Sequence, residues 1–218
     1  MGATGDRRPL RSRQTSWAAA VLAMLLRTPL TANQISALGI LFSIAGAGAI
    51  LAAPQYPSAW LLAALAIQLR LLANLMDGLV AVEGGRGSPS GAIWNEAPDR
   101  LEDTLFLVAF GYALGMPWLG WLAAVLAVGT AYVRVLGGTF GLPQDFGGPM
   151  AKPHRMAALT VGCVLAALES WWLGSLYAPA MVLLVVALGS AATVARRLVR
   201  QGRELASRAV GPGSPSGP

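Results

Sequence analysis

Charge is what this sequence has least of. Of its 218 residues 12% are charged and 55% hydrophobic, where a soluble domain carries about 25% charged residues. Cysteine and histidine occur once each. A lone cysteine excludes an internal disulfide frame and a Cys-based metal cluster. Cys163 falls in an apolar run and reads as packing. His154, beside Pro153, is not read as catalytic. Acid is scarce as well, with 10 Asp and Glu against 16 Lys and Arg and a net charge of +6. The basic residues sit in the breaks between apolar runs and at their ends. There they meet lipid headgroups and set orientation, so membrane lipids are expected partners and nucleic acid is not.

What is present is a series of long apolar runs. A membrane-spanning helix needs about 20 apolar residues, and the chain accommodates six. The spacing predicts spans near 35–53, 58–82, 92–114, 118–136, 155–173 and 176–198. A short juxtamembrane helix over 15–27, expected to be amphipathic, precedes them and lies on the membrane surface. The fold class is therefore all-α, an integral membrane bundle of six helices. Residues 1–14 form a basic, disordered N-terminus, 15–205 one membrane domain, and 206–218 a disordered Gly/Ser/Pro tail. No cleavable leader is expected. The N-terminus, the loops 83–91 and 137–155 and the C-terminal segment carry Lys or Arg, while the turns at 54–57, 115–117 and 174–175 carry none. The positive-inside rule then places both termini in the cytoplasm of a cell-membrane protein.

Against this background one stretch stands out. Asp77, Glu83, Glu96, Asp99, Glu102 and Asp103, six of the ten acidic residues, flank a Gly-rich loop. Arg70, Asn74, Asp77 and Ala81 share one helical face, and Asn95, Asp99 and Asp103 share a face of the next helix. A short loop makes the two helices antiparallel neighbours whose polar faces meet at the cytoplasmic surface. Ionisable residues in membrane helices mark functional sites. Oxygen ligands without Cys or His suit a hard cation, Mg2+ or Mn2+, which such sites hold through a few carboxylates and substrate phosphates. Gly78, Ala81 and Gly91 leave room for a ligand against the helix backbones.

These residues resemble the signature of the CDP-alcohol phosphotransferase family, D-x2-D-G-x2-A-R-x8-G-x3-D-x3-D. Here it reads Asn74-x2-Asp77-Gly78-x2-Ala81-Val82-x8-Gly91-x3-Asn95-x3-Asp99, with all spacings kept, Asn at the first and third Asp positions, and Val82 for Arg. LTANQIS (30–36), GPMAKPHR (148–155) and the basic end of the last span extend the resemblance over nearly the whole chain.

The resemblance implies transfer of a phosphatidyl group from a CDP-linked lipid such as CDP-diacylglycerol to a polar alcohol or phosphoalcohol, with release of CMP, in phospholipid synthesis. It implies two Mg2+ or Mn2+ ions at positions Asn74, Asp77, Asn95 and Asp99, with Asp99 as general base. Asp103, one turn further along, is counted with Asp99 among the catalytic carboxylates. Asn33, Ser36, Gly78, Ala81, Ser88 and Gly91 fall on nucleotide-binding positions. Lys152, Arg155, Arg196 and Arg197 fall where the family holds an acceptor phosphate. A homodimer is also implied.

Asn offers a hard cation an oxygen but no charge. The expected outcome is that Asp103, Glu83 or Glu96 makes up the deficit and both ions bind. The others are a single ion, or an inactive site in a CDP-lipid-binding protein or a structural partner of another lipid enzyme. Arg70 or Arg86 is the candidate replacement for the missing Arg. Arg134 reads as a helix cap.

Overall fold

The structure, a computed structural model, describes residues 15–209. The expected disordered segment 1–14, and the tail beyond residue 209, lie outside the described residues. Within them the chain forms seven helices and no strand: α1 Ser16–Leu26, α2 Ala32–Ala52, α3 Ala59–Val82, α4 Gly91–Ala113, α5 Pro117–Thr139, α6 Lys152–Trp172 and α7 Tyr177–Ala209. The helices α2, α3, α5 and α7 are long and apolar enough to cross a membrane. The fold is thus an all-helical membrane bundle. The acids of α4 and the charged residues of α6 keep those two helices off that list of spans.

Local chemistry explains the boundaries. Thr31 and Gln34 form a reciprocal capping box at the start of α2: Gln34 N donates to Thr31 Oγ1 (3.3 Å) and Thr31 N to Gln34 Oε1 (2.9 Å). Pro117 and Pro153 sit in the first turns of α5 and α6, where the missing N–H has no helical partner to lose. Gly115 (φ 69°) and Gly174 (φ 64°) end the turns after α4 and α6 in the left-handed conformation that glycine adopts without strain.

Three expectations are corrected. The helix α1 carries no charged residue and exposes Trp17 and Met24, so it is apolar around its circumference rather than amphipathic. Its Ala18 and Leu22 pack with Met76, Leu79 and Val80 of α3. The helix α6 starts at Lys152, which puts Lys152 and His154 in its first turn instead of in the preceding loop. The helix α7 runs through Ala209, beyond the expected end of the domain at 205.

The core is held by small residues at helix crossings. On α2, Gly46 lies under Phe106 of α4 and Ala66 of α3, and a Cβ there would stand 2.7 Å from the Phe106 ring. Gly111 of α4 and Gly120 of α5 bring two backbones into direct contact. Such close approach is how helices gain packing energy where lipid tails are as apolar as the side chains. Trp60 and Phe110, both fully buried, pack ring to ring at 5.3 Å. α3 and α4 each lie against α2 and approach one another closely at few points. Long polar side chains bridge the gap between them.

Candidate active site

The polar residues meet where the C-terminal half of α3, the N-terminal half of α4 and the first turns of α2 and α6 converge. α3 and α4 run antiparallel, and one turn forward on α3 matches one turn back on α4. Arg70 reaches Glu102 and Asp103, and Asn74 reaches Asp99. Continuing that register sets Asp77 opposite the turn of α4 that carries Asn95; the Asn95 side chain lies outside the described set. Pro98, inside α4, withholds the N–H that would bond the Trp94 carbonyl, one turn before Asp99.

Arg70 is fully buried. Its Nε donates to Glu102 Oε2 (2.5 Å), and its Nη2 to Asp103 Oδ1 (3.1 Å) and Asp99 Oδ1 (3.3 Å). Asp99 Oδ1 also accepts from Asn74 Nδ2 at 2.6 Å and pairs closely with Lys152 Nζ. Asp99 Oδ2 is 3.8 Å from Arg100 Nη2, outside hydrogen-bonding range. Asp103 Oδ2 accepts from Arg155 Nη2 (2.7 Å), and Arg155 Nη1 reaches the Met150 carbonyl (2.9 Å) and Thr130 Oγ1 (3.3 Å). Ser36 on α2 donates to Asp77 Oδ2 at 2.6 Å. Among the described residues two carboxylate oxygens stay buried without a partner: Asp77 Oδ1 and Glu102 Oε1. A buried anionic oxygen without a donor is costly, and such an oxygen is where a cation fits.

The expected residues fall into three groups. Asn74, Asp77 and Asp99 come together with Ser36. Asn33 and Ser88 meet each other, Ser88 Oγ donating to Asn33 Oδ1 at 3.3 Å, so the α3–α4 loop closes on the start of α2. Gly78, Ala81 and Gly91 are partly buried around them. The basic set is mostly turned inward. Lys152 sits on Asp99 and Arg155 on Asp103. Arg197 is spent on the carbonyls of Gly147 (3.0 Å) and Thr130, whereas Arg196 is exposed.

The helpers expected to complete a two-ion site are held by arginines or turned outward. Glu83 is exposed at the end of α3. Glu96 pairs with Arg100 (2.6 Å) and Arg134, and Arg134 holds Gln144 as well (2.7 Å). Arg134 is therefore a tie between helices rather than a cap. Asp103 lies between two arginines, which leaves it no oxygen for a metal or a proton. Among the described residues no three His, Cys, Asp or Glu side chains close around one metal position. Val82 is exposed. Arg86 does not replace the missing arginine in the cluster: it binds the carbonyls of Leu26 (2.9 Å), Thr28 (2.7 Å) and Leu30 (3.2 Å), closing the end of α1 onto the loop. Sequence reasoning missed Glu102 as a central member. Its spacing to Arg70 is visible only when α3 and α4 are set side by side.

No known family pattern matches this sequence, and no curated protein does. Solved structures do. The phosphatidylinositol phosphate synthase of Mycobacterium tuberculosis with CDP-DAG bound is 22% identical, with a TM-score of 0.70 over 86% of this chain and 94% of that one. The same synthase in complex with manganese and citrate is 23% identical, with a TM-score of 0.69 over 84% and 87%. Its apo form is 24% identical, with a TM-score of 0.66 over 82% and 93%. The chain therefore shares the fold of that synthase.

Proposed function

We propose that this protein is a membrane CDP-alcohol phosphotransferase that moves a phosphatidyl group from a CDP-linked lipid to a polar alcohol or phosphoalcohol. One observation carries the reading. In a chain of this fold, the signature positions Asn74, Asp77 and Asp99 converge in one cluster, and an unpartnered carboxylate oxygen of Asp77 remains there. The neighbours' CDP-DAG and manganese fit that cluster's chemistry. An open, shallow apolar groove of about 530 Å³ between α4 and α5, bordered by Arg100 and Ile93, suits an acyl chain beside it. In this reading α4 and α6 also cross the membrane, giving six spans, with the cluster and both termini on the cytoplasmic side. The enzyme acts as a homodimer.

In the reaction, the acceptor hydroxyl oxygen bonds to the lipid-bearing phosphorus. The bond from that phosphorus to the bridging oxygen breaks, CMP leaves, and the hydroxyl proton passes to a carboxylate. Asp99 Oδ2, outside hydrogen-bonding range of Arg100, is the oxygen placed to receive it. Asp77 Oδ1 would hold Mg2+ or Mn2+, which when bound would neutralise charge on the pyrophosphate. Asn33 and Ser88 close the nucleotide end, with Gly78, Ala81 and Gly91 leaving it space. Exposed Arg196 is the residue of the basic set most open to an acceptor phosphate.

Purified protein with Mn2+, CDP-diacylglycerol and a panel of acceptors should release CMP. Asp77→Asn and Asp99→Asn should each lower that release at least 100-fold, about 2.7 kcal/mol in the barrier. Full activity in either variant would refute the site assignment. The Lys152–Asp99 pair favours a second reading, a CDP-lipid-binding protein without turnover. Binding of the lipid with no CMP release for any acceptor would establish that reading.

A further inference from the structure

The oxygens of the cluster can be accounted for one by one. Asp99 Oδ1 is surrounded by nitrogen donors from Arg70, Asn74 and Lys152, and its Oδ2, the oxygen given to the acceptor proton, lies 3.8 Å from Arg100 Nη2. Asp103 has one oxygen on Arg70 and the other on Arg155. Glu102 Oε2 takes Arg70, and its Oε1 is pressed against Gly39 of α2, where a Cβ would stand only 2.9 Å away. Glu102 is fully buried, so its Oε1 has no space for an ion and its water shell. Asp77 Oδ1 is different: it is unpartnered, on a residue 95% buried, one turn along α3 from Asn74.

Charge points the same way. Asp77, Asp99, Glu102 and Asp103 are set against Arg70, Lys152 and Arg155, which leaves one negative charge. One divalent ion turns this into a single positive charge facing the pyrophosphate. A second would bring a strong positive excess, and the carboxylate oxygen left to it, Asp99 Oδ2, has Arg100 Nη2 3.8 Å away. Asn74 fits this arrangement, because its amide donates to Asp99 at 2.6 Å, where an aspartate would set two anions together. Lys152 fits it as well. A cation in the first turn of a helix opposes the macrodipole, and Lys152 meets that cost by pairing with Asp99.

We infer that the site holds one divalent cation, at Asp77, and that the Lys152 ammonium supplies at Asp99 the positive charge a second ion would bring. This rests on the phosphotransferase reading and narrows its metal requirement. Lys152 thereby acts as a positioning residue for Asp99 rather than as an acceptor ligand.

The test is Mn2+ stoichiometry on the full chain in lipid nanodiscs with CDP-diacylglycerol, read by electron paramagnetic resonance and by calorimetry. CMP release is measured on the same samples. One Mn2+ per chain is expected in the wild type and in Lys152→Arg, none in Asp77→Asn, and two in Lys152→Met. Two ions in the wild type, or none, overturn the one-ion site. One ion in Lys152→Met overturns the role given to Lys152. CMP release separates these failures from that of the broader reading, since a two-ion enzyme that still releases CMP leaves the reaction standing.

Discussion

The two ends of the bundle are held by different physics. At one end Arg70, Arg155 and Lys152 thread between three carboxylates, Asp99, Glu102 and Asp103. At the other, Trp60, Phe110, Leu107 and the Gly111–Gly120 crossing pack with almost no charge. The exception there, Glu169, gathers Ser175 Oγ and the backbone N–H groups of Tyr177 and Ala178 at 2.6–2.7 Å and so closes the α6–α7 turn. An apolar end tolerates exchange of one hydrophobic side chain for another of similar volume. A buried charge network tolerates little, because removing one member strands the others in low dielectric. In the proposed reading, the site that admits a pyrophosphate uses the second kind of construction, and the rest of the bundle supplies the rigid support.

That contrast can be broken most sharply at Arg70. Arg70→Met leaves Glu102, Asp103 and Asp99 without their shared cation, and thermal unfolding in nanodiscs should show a loss of about 3–5 kcal/mol. At the apolar end the largest effect should come from a crossing, not from a large side chain. In Gly120→Ala the new Cβ would stand 2.7 Å from the Leu107 carbonyl and 2.9 Å from Gly111 Cα. Backbone cannot rotate away, so a loss of about 1–3 kcal/mol is expected in the same assay. Leu107→Met, in the same fully buried layer, keeps volume and should cost under about 1.5 kcal/mol. Smallest of all, Arg208→Ala removes an exposed pair with Glu204 on α7 and should change stability by about 0.3–0.5 kcal/mol, less at high salt. If Leu107→Met proved as damaging as Arg70→Met, the distinction between the two ends would fail.

The sequence was legible where one helix alone carries the message. Each expected helix exists, with ends mostly within a few residues, because hydropathy, proline and glycine act locally. The exceptions, the early start of α6 and the long continuation of α7, fall on charged segments, where hydropathy marks the edge of the membrane rather than the end of the helix. Within the cluster, the spacing over 74–99 put Asn74 and Asp77 on one helical face and Asp99 on the facing one, since residues three and four apart share a face, and Asn74 and Asp99 do meet. Arg155 and Lys152 were read as an acceptor clamp because their charge is visible in sequence and their partners are not.

By itself the sequence determined that this is an apolar helical chain with a small acidic region bounding a glycine loop. Those properties are set by composition and by periodicities of a few residues. Tertiary structure alone decided which carboxylates are free. Asp103 lost its availability to arginines on α3 and α6, Glu96 to one on its own helix and one on α5, and Asp99 Oδ1 to a lysine far along the chain. Asp77 kept one oxygen uncommitted. A carboxylate's capacity to bind a cation depends on the donors already around it, and in a bundle those donors come from helices that sequence distance does not bring together.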